Sequence, residues 1–156
     1  MIGPKIIQRF VLQYVFLVLG FCLETDTISF GLSIKDPDTI ISSGQVFKLG
    51  FFTPDNTTNR YLGVFYTVFE KTVVWVANRD KPLDDTSGTV SISDDGNLVL
   101  RNGNNEILWS TNATTSPMNN TSLQIQDTGN LVLRENATGT QYGTLFQYLL
   151  MFLCPQ

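Results

Sequence analysis

Short apolar runs alternate with polar turn clusters along the chain from Asp26 onward. Runs rich in Val, Ile, Leu and aromatic residues, bounded by Gly, Asn, Asp and Pro, are typical of β-strands. No stretch after Asp26 keeps a 3.6-residue apolar period over a dozen residues, so no helix is predicted there. We therefore predict an all-β protein with strands at 26–28, 46–52, 61–66, 72–77, 90–92, 98–101, 107–111, 123–125 and 131–134.

A ten-residue segment recurs after a shift of 33 positions: ISDDGNLVLR at 92–101 returns as IQDTGNLVLR at 125–134. A shift of 34 relates Trp109 in ILWSTN to Trp75 in VVWVAN, so a third, more diverged copy precedes the other two. A unit of this size cannot bury both of its faces alone. The three copies are therefore predicted to pack their apolar sides together, with both tryptophans as core residues.

The first 25 residues differ in character from the rest. Lys5 and Arg9 give a short basic start, and 10–23 form an apolar run that is short for a membrane span. We expect residues 1–25 to be a secretory signal peptide, an uncleaved anchor being the alternative. After cleavage no membrane span is expected, and one domain is followed by an atypical apolar tail at 143–156.

Composition excludes some classes of function. Removing residues 1–25 leaves 8 basic and 13 acidic residues, which argues against nucleic-acid binding because that needs clustered Lys and Arg. The chain has no His, and the adjacent carboxylates at 84–85 and 94–95 would point to opposite faces of an extended chain. We therefore expect no enzyme activity, no metal site and no cofactor.

Glycosylation sequons support a secreted, extracellular protein. Each has a residue other than Pro after the Asn and then Ser or Thr, and all five lie in polar loops. The alternative is that a turn composition rich in Asn and Thr generates sequons by chance. The predicted sites of N-glycosylation are Asn56, Asn112, Asn119, Asn120 and Asn136.

The segments FKLGFF, YLGVFY, TVVWVANRDKPL, DGNLVLRN, LWSTN and DTGNLVLRE resemble, in order, the bulb-type (mannose-specific, snowdrop-like) lectin domain that opens plant S-locus glycoproteins and S-domain receptor-like kinases. The resemblance implies a lectin domain at 26–142. It also implies a β-prism of three four-stranded sheets around a pseudo-threefold axis. Trp75 and Trp109 match two central tryptophans, and Tyr142 stands close to the third position. Because the segment after 142 departs from the family, we expect a truncated receptor ectodomain.

The family's mannose motif is Gln-x-Asp-x-Asn-x-Val-x-Tyr. In the middle repeat its positions read Ser93, Asp95, Asn97, Val99 and Arg101, and in the last repeat they read Gln126, Thr128, Asn130, Val132 and Arg134. Each copy lacks two of the five groups. The candidate carbohydrate-binding residues are therefore Asp95, Asn97, Val99, Gln126, Asn130 and Val132.

The first repeat lacks the motif's polar groups, and the asparagines of the other two repeats have an alternative, structural role. In the first repeat the best alignment puts Arg60, Leu62, Val64 and Tyr66 at the Asp, Asn, Val and Tyr positions, which leaves no polar pair. Asn97 and Asn130, which each follow a glycine, could instead cap β-turns, a common role for this residue.

The resemblance implies a secreted, non-enzymatic recognition module with weak or vestigial binding of mannose-type glycans. The alternative is a protein-interaction ectodomain that recognises a receptor or peptide partner. Arginine at both Tyr positions favours this alternative, because a guanidinium suits carboxylates and protein surfaces.

Overall fold

A computed structural model describes residues 26–69, 71–113 and 120–144. Within these ranges the chain forms three four-stranded antiparallel sheets. The first sheet has the order β3 (Thr39–Ile41), β4 (Phe47–Phe52), β5 (Tyr61–Tyr66), β6 (Val73–Val76). The middle sheet has the order β2 (Ser33–Lys35), β7 (Thr89–Ile92), β8 (Leu98–Arg101), β9 (Ile107–Ser110). The last sheet has the order β1 (Thr27–Ser29), β10 (Thr121–Ile125), β11 (Leu131–Glu135), β12 (Gln141–Thr144).

The leading segment, residues 27–41, supplies one edge strand to each sheet. Its three strands carry one buried apolar residue apiece, Ile28, Ile34 and Ile40, which recur every six positions. Side chains alternate between the two faces of a strand, so each isoleucine points inward while its neighbours remain more exposed. The leading segment therefore ties the three sheets to one core.

The central strands β5, β8 and β11 are structurally equivalent. Each pairs with the strand that follows it, and each pairing has a register shift at the same place: Val64/Phe65, Leu100/Arg101 and Leu133/Arg134. The turns before β8 and β11 each contain a glycine in the left-handed region, Gly96 at φ 79° and Gly129 at φ 82°, where a side chain is disfavoured. The sequence repeat is therefore a structural repeat.

The core lies between the three sheets. It consists mainly of fully buried aliphatic residues on the central strands and the strands before them: Leu49, Leu62, Val64, Val90, Leu98, Leu100, Leu123, Ile125, Leu131 and Leu133. Trp75 and Trp109 meet edge to face, with ring centroids 5.4 Å apart and an interplanar angle of 73°. Trp75 is buried, whereas Trp109 is only partly buried against the core.

The all-β prediction with three four-stranded sheets is confirmed. The predicted strand list missed β2, β3 and β12. Strands β2 and β3 have three residues with one buried side chain each, which is too short to show alternation. Strand β12 reads Gln-Tyr-Gly-Thr and has no apolar run. The expected signal peptide and the tail beyond Thr144 lie outside the described residues.

The third tryptophan position is occupied by glycine. Val64 lies opposite Trp75, Leu100 lies opposite Trp109, and Leu133 lies opposite Gly143. Tyr142 falls within the register shift instead, one residue away from the tryptophan position. Only two of the three sheets therefore contribute an indole to the centre.

Candidate functional site

The turn before β8 holds the candidate residues of the middle repeat. The Ser93 hydroxyl donates to Asp95 Oδ1, which also accepts the Asn97 N–H at 3.1 Å. These hydrogen bonds, the one from Ser93 first, hold the pKa of the Asp95 carboxyl below its ordinary value. Asp95 is therefore an ionised acceptor that already receives two donors from its own turn, an arrangement typical of Asx turns.

Asn97 is buried, with 6% of its surface exposed. Its Oδ1 accepts the Thr111 hydroxyl at 2.7 Å and the Ala113 N–H at 2.7 Å. The side chain thus joins the turn to the chain that leaves β9, on the opposite side of β8. The Asn97 side chain also hydrogen-bonds the Asp95 carboxylate, so both ends of this amide are engaged by the protein.

The turn before β11 has the same backbone pattern but different side-chain contacts. The Gln126 N–H donates to the Asn130 carbonyl at 2.9 Å, and Asp127 Oδ1 accepts the Gly44 N–H at 2.6 Å. Within the described part of the chain, the side chains of Gln126 and Asn130 make no hydrogen bond, and both are half-buried. These two amides are therefore more available than the polar groups of the middle repeat.

The valines of the motif offer little surface. Val99 and Val132 lie at equivalent positions of β8 and β11, and each is only 2% exposed. A sugar ring packs against an apolar wall through contact area. In the conformation described here, neither repeat presents that wall.

Arginine stands at the Tyr position of both repeats, and in the last repeat neighbouring side chains hold it in place. Arg134 Nη2 donates to Gln124 Oε1 at 2.7 Å, and Gln124 Nε2 donates in turn to Asp26 Oδ2 at 2.7 Å. Burial raises the pKa of Asp26, but hydrogen bonds from Thr27, Gln124 and Ser43 outweigh it and lower the pKa overall. This chain of bonds links β11 and β10 to the residue that precedes β1.

The alignment of the first repeat given above is wrong by one residue. Since Val64 is equivalent to Leu100, the motif positions fall on Tyr61, Gly63 and Phe65. A slip of one residue moves every side chain of a strand to the other face. Leu62 and Val64 are accordingly core residues, with 0% and 1% exposure.

The first sheet also cannot accept the motif's valine. A Cβ atom added at Gly63 would lie 2.5 Å from the Trp75 carbonyl oxygen, which is a clash with backbone. The residue that we aligned with the Asp position, Arg60, pairs with Asp36 through two hydrogen bonds, one of them 2.7 Å from Nε to Oδ2. The Asp36 side chain is fully buried. Sequence reasoning missed this pair, because Asp36 lies 24 positions away.

The predicted glycosylation sites differ in exposure. Asn120 is half-buried, with Nδ2 3.4 Å from Glu135 Oε1. Asn119 lies outside the described residues. The exposed sites are Asn56, Asn112 and Asn136. Glycosylation itself stays a prediction.

No metal or membrane feature is evident in the ranges 26–69, 71–113 and 120–144. No three His, Cys, Asp or Glu side chains of these ranges cluster in a way that could hold a metal ion. None of these residues belongs to a helix of the length and hydropathy that a membrane span requires.

Residues 72–152, more than half of the chain, match the sequence profile of a family described as D-mannose binding lectin. The chain belongs to this family. Two similar proteins are G-type lectin S-receptor-like serine/threonine-protein kinases of Arabidopsis thaliana, 43% identical over 132 residues and 44% identical over 117 residues. These alignments cover 83% and 74% of this chain but only 16% and 14% of the kinases. The chain thus spans about one sixth of the length of the curated relatives it matches.

Solved structures of mannose-binding lectins share the fold. A monomeric mannose-binding lectin from Gastrodia elata has a TM-score of 0.59 at 18% identity, covering 77% of this chain and 96% of that one. The mannose-specific agglutinin of snowdrop (Galanthus nivalis), complexed with methyl-α-D-mannoside, has a TM-score of 0.54 at 20% identity, covering 76% and 99%. At these identities the likeness shows the fold alone. The predicted β-prism and the resemblance to bulb-type lectin domains are confirmed.

Proposed function

We propose that this lectin-family chain is a secreted, non-enzymatic recognition module whose affinity for mannose is weak. The proposal rests on the hydrogen bonds that the protein itself makes to the acceptors of the middle motif. Asp95 Oδ1 and Asn97 Oδ1 each accept two donors from the protein, so these acceptors meet a sugar hydroxyl only by giving up a bond already made. The placement outside the cell is supported by the relatives, whose names describe them as receptor-like.

The expected affinity follows from counting groups. A hydrogen bond to a neutral partner contributes about 0.5–1.5 kcal/mol net, and each repeat has lost two of the five motif groups. The loss is then about 1–3 kcal/mol per site, or roughly five- to 150-fold in the dissociation constant. The engaged acceptors and the buried valines weaken the site further. We expect millimolar affinity for mannose.

The last repeat is the better of the two sites. Gln126 and Asn130 have no side-chain hydrogen bonds among the described residues, so a sugar gains their bonds without displacing any. Gln126→Ala should therefore reduce residual mannose binding more than Asp95→Ala does. Equal effects of the two substitutions would contradict this ranking.

The proposal is tested by retention of the secreted protein on a mannan column, with free mannose as competitor. We expect slight retardation that mannose abolishes. Ser93→Gln combined with Arg101→Tyr rebuilds all five positions of the middle motif and should increase retention. Tight retention of the natural chain, or no gain in a restored variant that folds, would show that these positions do not form the site.

A second function, recognition of a protein or peptide partner, is favoured by a separate observation. In the loop after β5, Val68 and Phe69 are 80% and 67% exposed. Large exposed apolar side chains are enriched at protein interfaces. This function predicts that mannan retention is absent and that Phe69→Ser abolishes partner binding, whereas the lectin function predicts no effect of Phe69→Ser on the column.

A further inference from the structure

The outer face of the middle sheet carries a cleft of about 630 Å³ beside the candidate mannose motif. Two rows of paired residues cross this face. One row runs Lys35, Thr89, Arg101, and the other runs Ser33, Ser91, Val99. Directly paired residues on neighbouring strands lie about 5 Å apart. Lys35 and Arg101 therefore flank Thr89 at a separation of about 10 Å between backbones, within which two long side chains can converge on one group.

Lys35 and Arg101 are the two cations of this cleft. Within the described part of the chain, no carboxylate lies within ion-pair distance of Lys35 or Arg101. Arg101 donates one hydrogen bond, from Nη1 to the Asn105 carbonyl at 3.2 Å. Asp36 also borders the cleft, but its carboxylate is buried and paired with Arg60. The cleft is thus locally positive on a chain whose net charge is negative.

The equivalent row of the last sheet has one cation instead of two, and the protein binds that cation itself. There the row reads Ser29, Ser122, Arg134, so the lysine is replaced by serine. The guanidinium of Arg134 is held by Gln124, which is itself bound to Asp26. This arginine is engaged by the protein, and the described row holds no second cation.

The first sheet differs in another way. Its equivalent row reads Ile41, Lys48, Phe65, with Lys48 Nζ 5.0 Å from the centre of the Phe65 ring. A cation in that position lies against an aromatic face and is partly satisfied there. Among the three sheets, as far as the described residues show, the middle sheet combines two cations with an open cleft.

From this arrangement we infer that the cleft binds a saccharide that carries a carboxylate, a uronic acid unit. The carboxylate would lie between Lys35 and Arg101, because ionised acceptors form the stronger hydrogen bonds with such donors. The hydroxyls of Ser33, Thr89 and Ser91 can each donate and accept, which matches the ring hydroxyls of a pyranose. An acidic peptide would use the two cations but not this row of hydroxyls. The inference rests on saccharide recognition by this lectin fold.

The test is calorimetric titration of the secreted protein with trigalacturonic acid at low ionic strength, where screening is weak. Its methyl ester keeps the ring hydroxyls and removes the charge, and hexaglutamate supplies charge without a sugar. We expect the acid to bind, and the ester to bind about tenfold more weakly because two charge pairs are lost. Hexaglutamate should bind more weakly than the acid.

Variants locate the site. Lys35→Gln and Arg101→Gln should each weaken binding of the acid about two- to fivefold, as expected for exposed charge pairs, and Lys35→Arg should restore it. Lys71→Gln, which removes an exposed cation paired with Asp55 outside the cleft, is the matched control and should have no effect.

Several outcomes would overturn the inference. These are no binding of the acid, equal binding of acid and ester, tighter binding of hexaglutamate, or an equal loss in the Lys71→Gln control. Mannan retention measured on the same preparation separates this failure from failure of the lectin function. A protein that is retained by mannan but ignores the acid keeps the proposed function and loses only the uronate site.

Discussion

Replacing Asn97 with alanine tests whether the central asparagine of the middle motif supports the fold. The side chain is buried, and its Oδ1 accepts the Thr111 hydroxyl and the Ala113 N–H, both at 2.7 Å. Alanine removes both bonds and leaves two donors beside a small cavity. The neighbouring Val99 and Leu98 are also buried, so the cavity has little room to relax.

The expected loss of stability is about 2–4 kcal/mol. Two hydrogen bonds contribute about 1 kcal/mol net each, and donors left unsatisfied in a buried position cost about 1–3 kcal/mol more. Water that enters the site offsets part of this cost. Thr111→Val also removes two hydrogen bonds, one to Asn97 Oδ1 and one from the Leu98 N–H at 3.2 Å, but valine fills the same volume and opens no cavity, so its loss should be smaller, about 1–2 kcal/mol.

Equilibrium urea unfolding measures these differences. The fluorescence of Trp75 and Trp109, which pack 5.4 Å apart, reports the loss of tertiary structure. Asn104→Ala is the control, because Asn104 is an exposed asparagine in the next turn of the same sheet. If Asn97→Ala loses no more than this control, the side chain is not structural, and its polar atoms are available to a sugar after all.

Three further outcomes are expected. Asp36→Asn leaves the partly buried Arg60 guanidinium without its anion and should lower the free energy of unfolding by about 2–4 kcal/mol, whereas an effect below about 0.5 kcal/mol would mean that the ion pair is dispensable. Because the folded-state pKa of Asp95 is lowered, its contribution to stability is complete above pH 3.8 and is lost as the pH falls below that value; Asp95→Asn should flatten the acid branch of the stability profile, and an unchanged branch would contradict this. In a plant secretory pathway, glycosidase-sensitive glycans should appear on Asn56, Asn112, Asn136 and one of Asn119 or Asn120, and an unchanged mass after treatment would contradict the secretory assignment.

The repeated hairpin was predictable because one short segment carries both of its determinants. In GNLVLR the glycine takes the positive φ that the turn requires, and the leucines alternate with valine so that they face the core. The edge strands of the leading segment were not predictable in this way. Each has one buried isoleucine, and a spacing of six has no meaning until three sheets are known to receive one residue each.

The candidate site was likewise predictable only in part. Motif spacing placed Asp95 and Asn97 on the turn before β8, where the structure also has them. The donors to Asn97 could not be predicted, because Thr111 and Ala113 are 14 and 16 positions away and nothing in the local sequence marks them as donors. The first repeat was misaligned by one residue because its consensus has diverged, and the register became visible only through the pairing of Val64 with Trp75.

The path of the leading segment sets an order of assembly. Strand β1 pairs with β10, and the Gln124 side chain that binds Asp26 lies 98 positions further along the chain. During synthesis the earliest strand therefore waits longest for its partner, and it remains an unpaired edge until most of the domain has emerged. Pairings of such long range slow folding, and exposed edges invite association with other chains. Yield in the secretory pathway should thus depend on how well residues 27–41 are shielded while β10 is still being made.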